Sequence, residues 1–349
     1  MPTAVSRSGV WREPARGAVV YPGLAALPGL EQVRAMLVGR APPPPVARLT
    51  GRRMIEASFG SATYVLPATD WMLGPKGVVH SGLLAFLADG ALIATVVSAL
   101  PPRVLCTTAE LSMTFLGTPP LAGGDIAARG ELVHLDHEMG LAQVFVRDAH
   151  DRLVAHGTSR CSVFPPIADS IELPVPLGPA PEPELDTPDP YLRPLPAVDH
   201  EGPSEDRDGL DRLRGRLRGE MPCPPVDQLT GIRLVSAEQG RVVFALPASP
   251  WLRNEWGTVY GGMLTLVAKS AAAAAVQTTA ARGTAFTALD VKTNLLRPVP
   301  ADGSEIVATG TVLHRGKRLA IATADVMHGD VRVAVLTGTT ALTPPGTRA

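Results

Sequence analysis

Apolar positions along the chain fall into two runs of the same design. In the second run Leu210, Leu213 and Leu217 recur at three- and four-residue spacing, which predicts a one-faced helix over 208–218. A similar pattern covers 30–38, and prolines end both. Strand-like segments follow at 61–66 and 241–246, then a loop carrying tryptophan and glycine. Next come the two most apolar stretches, 81–99 and 261–280, whose length and alanine content predict helices. Alternating segments at 107–116, 125–135, 141–147 and 153–163 predict strands, as do 287–296, 305–314, 319–327 and 331–342. A long apolar helix followed by an antiparallel meander is an α+β layout, with the sheet wrapped around the helix.

The two runs are a repeat. Pro44-Pro45-Val46 and Leu49-Thr50-Gly51 return 180 positions later as Pro224-Pro225-Val226 and Leu229-Thr230-Gly231. The same offset pairs Trp71 with Trp251, Gly77 with Gly257 and Gly82 with Gly262. A period this long marks a duplicated domain, because solenoid repeats run only about 20–50 residues. The expected division is a disordered N-terminus over 1–22, one domain over 23–165, a proline-rich linker over 166–205 and a second domain over 206–345. The run from Gly82 to Leu100 has the length of a membrane span, but Asp89 lies inside it and its counterpart holds Lys269, Ser270 and Gln277. A buried helix explains both stretches, and no membrane partner is expected.

Composition changes the picture little. Hydrophobic residues make up 45% and charged residues 19%, with a formal net charge of -1. That balance offers nothing to attract nucleic acid. Cys106, Cys161 and Cys223 lack metal or redox spacing and are read as reduced thiols of a cytoplasmic protein. The first 20 residues hold no apolar core of a signal peptide.

The chemistry lies at the start of the apolar helices. The first half carries Gly77-Val78-Val79-His80-Ser81-Gly82 and then Asp89; the second carries Asn254, Gly257, Tyr260-Gly261-Gly262 and Lys269. Together they resemble the signature of PaaI-type acyl-CoA thioesterases of the 4-hydroxybenzoyl-CoA thioesterase superfamily, which have the hotdog fold. That pattern is Asn, Gly three residues on, His-Gly-Gly, and Asp nine residues after the His. The resemblance implies two tandem hotdog domains forming an internal pseudo-dimer. The departures are as informative: the first half has Gly74 at the Asn position but keeps His80 and Asp89, while the second keeps Asn254 but has Tyr260 and Lys269. Thr108 stands where the family often has a hydroxyl, and Ala288 stands at its counterpart.

Proteins of this family build each site across two hotdogs. The resemblance therefore implies one composite site, with Asn254 and the Gly261 N–H facing Asp89 and Thr108. The reciprocal site of Gly74, Ser81, Lys269 and Ala288 is degraded. A helix N-terminus offers unpaired N–H groups to the oxygen that becomes negative when a thioester is attacked. Asp89 then acts as general base or as nucleophile, and Thr108 orients water or carboxylate. No metal or redox cofactor is required. The expected activity is hydrolysis of an acyl-CoA thioester.

Blander readings compete for single residues. Asp89 can be a structural acid, Gly261 and Gly262 can serve packing alone, and Asn254 can simply fix its loop. His80, Gly82, Tyr260 and Gly262 are expected to line the substrate site, against the plain alternative that His80 only pins the loop. The basic turn with Arg315 and Lys317 is expected to approach the CoA phosphates, against the plain alternative of a solvated turn. Trp71 and Trp251 are read as packing residues. Two other functions remain open at this point: a non-catalytic binder of acyl-CoA or acyl carrier, and a hotdog enoyl-CoA hydratase or dehydratase. A homodimer of double hotdogs fits the family's habit of assembling four units.

Overall fold

The computed structural model describes residues 10–121, 124–174, 187–195 and 207–343. The first half contains α1 (Gly29–Leu37), α2 (Pro45–Thr50), β1 (Arg53–Ser58), β2 (Ser61–Pro67), α3 (Ser81–Val97), β3 (Cys106–Phe115), β4 (Asp125–Leu135), β5 (Met139–Arg147) and β6 (Leu153–Val163). The second contains α4 (Gly209–Leu217), α5 (Pro225–Thr230), β7 (Arg233–Glu238), β8 (Arg241–Pro247), α6 (Gly261–Gln277), β9 (Ala285–Leu295), β10 (Glu305–Arg315), β11 (Leu319–His328) and β12 (Val331–Thr343). All strands join one 12-stranded antiparallel sheet in the order β1-β2-β4-β5-β6-β3-β9-β12-β11-β10-β8-β7. The halves meet where β3 pairs with β9, from Glu110 opposite Asn294 to Thr114 opposite Asp290.

The sheet wraps α3 and α6. In α3 only Ser81, Ile93 and Val97 escape full burial. Leu83, Leu84, Phe86, Leu87 and Leu92 are at most 1% exposed, and each such side chain contributes about 1.5–3 kcal/mol by leaving water. Both helices are 17 residues long, and no helix among the described residues is long and apolar enough to cross a membrane. The two helices press together through glycine. A Cβ on Gly82 would lie 2.6 Å from Leu266 Cδ1, and one on Gly262 would lie 2.9 Å from Phe86 Cα. The strands come equally close: a Cβ on Gly310 of β10 would stand 2.1 Å from the Ala271 carbonyl oxygen.

Four short elements were not expected from the pattern. The prolines that end the first helix of each half also begin α2 and α5, because proline suits the first helical turn. β1 and β7 each contain a bulge, at Met54/Glu56 and Leu234/Ser236, which breaks the alternation that reveals a strand.

Residues 10–22, expected to lack order, are instead placed against both halves, with the Ala18 N–H on the Pro43 carbonyl and the Val20 N–H on the Glu255 carbonyl. Trp11 and Glu13 present backbone carbonyls to Ser249 Oγ (3.0 Å) and Trp251 Nε1 (2.8 Å). Within the expected linker, the turn Pro190–Leu192 docks on the first half, where Trp71 Nε1 donates to the Arg193 carbonyl (2.7 Å). The two straps are 180 positions apart and each serves the other half, tied to one another by Arg193–Glu13 (2.6 Å) and Arg16–Asp189 (3.2 Å). Thus Trp71 and Trp251 are buried but also anchor the straps. The rest of the expected disordered end, 1–9, and of the linker, 175–186 and 196–205, lie outside the described residues.

Gly310→Val is expected to destabilise the protein by about 3 kcal/mol or more, because backbone rather than a movable side chain fills the space. Urea unfolding beside Thr311→Val, an exposed neighbour expected to change stability by under about 0.5 kcal/mol, checks this.

Candidate active site

The loops that lead into α3 and α6 are pinned by bridges between Leu73 and Val79 and between Arg253 and Val259. Gly77 and Gly257 have φ of +67° and +89°, a region that favours glycine. This is the reason for the glycine three residues after Asn254. The Asn254 side chain turns back onto its own loop: Oδ1 accepts from the Trp256 N–H (2.9 Å) and the Thr258 N–H (3.1 Å), and Nδ2 donates to Thr258 Oγ1 (2.9 Å). Gly74 has no side chain to do the same.

A cleft of about 190 Å³ opens between the halves, lined by Asp89 and Thr108 from one and by Asn254, Tyr260 and Gly261 from the other. Asp89 is 2% exposed. Thr108 Oγ1 donates to Asp89 Oδ1 at 2.8 Å, which leaves Oδ2 toward the start of α6. A Cβ on Gly261 would be 3.3 Å from that oxygen, so the missing side chain keeps the approach open. Tyr260, in the N-cap position, does not cap α6. Its hydroxyl donates to the Phe86 carbonyl (3.2 Å) and its ring meets Phe86 edge-on, centroids 5.1 Å apart. The Gly261 N–H has no acceptor among the described residues, and it carries the positive end of the helix dipole.

Burial pushes the Asp89 carboxyl above its ordinary value, while the Thr108 hydroxyl, the Arg52 charge and Tyr260 pull it partly back. Arg52 is a site residue that the sequence pattern did not reveal. It is 3% exposed, pairs with Glu255 at 2.9 Å, and lies over the rings of Tyr260 and Tyr64 at 4.5 and 4.9 Å. A Cβ on Gly90 would stand 2.3 Å from Arg52 Nη1, so the glycine after Asp89 makes room for the guanidinium. Burial opposes the charge, but Tyr260, Glu255, Tyr64 and Asp89 more than restore it. At the matching positions of the other copy stand Ile232, Pro75 and Ser270. A comparison of the two copies at Arg52, Glu255 and Gly90 was the one signal available.

The reciprocal position is different chemistry. His80 Nδ1 accepts from the Gly82 N–H (3.2 Å), so this side chain caps α3, as Tyr260 does not cap α6. Lys269 is 8% exposed, and burial followed by Lys76 lowers its pKa to about 7. The same burial, with Lys269 nearby, holds the His80 imidazole well below its usual value. Lys76 lies over the Phe286 ring, 3.4 Å from its centre, and donates to the Phe286 carbonyl. Only about 10 Å³ remains beside Lys269.

Several expected residues therefore stay out of the cleft. His80 and Gly82 belong to the reciprocal side because the motif's His precedes α3, whose start faces Lys269 rather than Asp89. Gly82 and Gly262 are spent on helix contact. Arg315 and Lys317 do not line the cleft. Their turn packs where the Leu342 N–H reaches the Arg318 carbonyl (2.8 Å), and Leu342 is opposite Phe286 on the reciprocal side. The cation lining the cleft is Arg297.

Comparison with known proteins agrees with this architecture. The sequence profile of the thioesterase superfamily matches residues 257–335. Acyl-coenzyme A thioesterase 13 of Mus musculus is 30% identical over 115 residues, which are 33% of this chain and 81% of the relative. Among solved structures, a tesB protein of Mycobacterium avium subspecies paratuberculosis is similar with a TM-score of 0.51 at 11% identity, covering 90% of this chain and 100% of that one. A Novosphingobium aromaticivorans protein suggested to be a thioesterase gives 0.51 at 16% identity, covering 81% and 96%. Those two likenesses concern the fold, and they extend over both hotdogs. The match to the mouse protein, spanning most of that relative, makes this chain a member of the thioesterase superfamily.

Proposed function

We propose that the cleft between the two halves hydrolyses acyl-CoA thioesters, with one working site per chain. The observation that carries this reading is the meeting of a buried acid from one copy with an uncapped helix start from the other: Asp89 beside Gly261. A thioester carbonyl placed over Gly261 receives its N–H, reinforced by the dipole of α6, on the oxygen that becomes negative. Asp89, with Oδ1 held by Thr108, uses Oδ2 to take a proton from water as that water attacks the carbonyl carbon. Collapse of the tetrahedral species breaks the C–S bond, and the thiolate of CoA recovers the proton from Asp89. Burial suits the acid for this role, since it makes the carboxylate a stronger base than one in water. Asn254 shapes the loop that presents Gly261, and Arg52 keeps Asp89 ionised.

On this reading residues 23–165 and 206–345 are the two folding units and act as an internal dimer. A homodimer of such chains in the cytoplasm extends the proposal, with free thiols at Cys106, Cys161 and Cys223 fitting a reducing compartment.

Asp89→Asn is expected to lower kcat for CoA release by about 10²–10⁴-fold while acyl-CoA still binds. Equal release by mutant and wild type, or binding without any hydrolysis by the wild type, would sink the assignment. Arg52→Met removes a charge that lowers the Asp89 pKa, so the acidic limb of the kcat/KM profile should move to higher pH, with Arg52→Lys restoring part of the shift. An unmoved limb would separate Arg52 from Asp89.

Lys269 tests the other side. Its pKa falls from 10.5 to about 7 on folding. The folded chain thus binds fewer protons than the unfolded one between those values, so the destabilisation is full below the lower value and fades toward the upper. Lys269→Met should add at least about 2 kcal/mol of stability at neutral pH and much less near pH 10, by urea unfolding. Turnover should be unchanged, and a large loss would place chemistry in the reciprocal site.

A further inference from the structure

We infer that the acyl arm lies in an apolar channel running along α3 from Asp89 to Val97, which suits straight chains of up to about ten carbons. The inference rests on the thioesterase reading for the position of the carbonyl, and goes beyond it in naming the acyl group and what limits its length.

α3 is buried almost all round, yet Ile93 and Val97 are only partly buried. With Asp89 they stand at i, i+4 and i+8, one above another on a single face. Both line the cleft that holds Asp89. Val33 and Met36 of α1 and Cys106 of β3 line the cleft with them, as do Leu264 of α6 and Leu295 of β9 from the other half. An apolar stripe left open inside a cleft, and continuous with a buried carboxylate, is surface for an apolar ligand to cover.

The duplicated half acts as an internal control. The matching stripe of α6 is Lys269, Ala273 and Gln277, also incompletely covered except at Lys269. Arg216 occupies the position of Met36 and is tied to Asp227 at 2.8 Å, and Phe286 occupies that of Cys106 under Lys76. The apolar stripe is thus found in the copy that carries the acid and not in the other.

At the far end α1 packs on α3. The Gly29 N–H donates to the Leu100 carbonyl (3.0 Å), and a Cβ on Gly29 would lie 1.8 Å from the Val97 carbonyl oxygen. The first turn of α1 therefore sits on the last turn of α3, which sets Val97 as the end of the inferred channel. Eight residues of helix span about 12 Å, and an extended chain of about ten carbons fills that length. A benzoyl group would reach only about the first turn.

The test is a binding ladder with CoA S-alkyl thioethers, from butyl to hexadecyl, titrated into the wild-type protein by calorimetry. Affinity should tighten by about fourfold per methylene up to about ten carbons and stop there. Val97→Phe should move the break to about six carbons while butyl affinity stays within about twofold, and Ile93→Phe, one turn closer to Asp89, should shorten it further. A ladder that climbs unbroken to hexadecyl, or a break that neither variant moves while both keep the wild-type melting temperature, would overturn the channel. Hydrolysis is read separately. A normal ladder with no turnover of any acyl-CoA would leave the channel and sink the thioesterase reading; turnover with a flat ladder would do the reverse.

Discussion

The approach of α3 to α6 is the constraint on which the rest of the site depends. With glycine at 82 and 262 the helices cross close enough for one to meet the backbone of the other. That closeness puts the start of α6 beside Asp89, one helix turn or more into α3. A larger residue at either crossing point would separate the helices and with them the acid and the amide. The contact also brings Tyr260 onto Phe86, its hydroxyl on the Phe86 carbonyl and its ring edge-on to the Phe86 ring.

Placing a carboxylate at such a crossing is costly, because buried charge must be matched. The structure answers with Thr108 on one oxygen and with Arg52 nearby, itself balanced by Glu255. Arg52 and Glu255 come from different halves, so the charge balance forms only when the two hotdogs are together. The rings of Tyr64, Phe86 and Tyr260 around the guanidinium hold it in place and exclude water.

Duplication freed the second copy from the same demands. At the reciprocal position Lys269 replaces the acid, His80 caps α3 where Tyr260 leaves α6 uncapped, and Lys76 covers Phe286. Each change is individually compatible with the hotdog fold, since the sheet and helix framework does not depend on them. The exchange of straps between halves, through Trp71 and Trp251, keeps the pair assembled while the two sites diverge.

Much of this was written in the order of residues. Hydrophobic periodicity and the 180-residue offset determine two helix-and-meander units, because burial of an apolar helix needs a covering sheet whatever the details. The Asn254-to-Gly257 spacing and the positions of Asp89, Thr108 and Gly261 are local or family patterns, and they were legible one residue at a time. What tertiary structure alone decided is which of these groups meet. Arg52 lies far from Asp89's motif and Glu255 203 positions from Arg52, and no local pattern encodes such a pair. His80 and Gly82 looked like site residues because they sit in the motif, yet they belong to the opposite side, since a helix presents its start to one partner and its middle to another. The bulged strands β1 and β7 and the docked straps were hidden for the same reason: their stability comes from contacts made across the fold rather than from any rhythm in the chain.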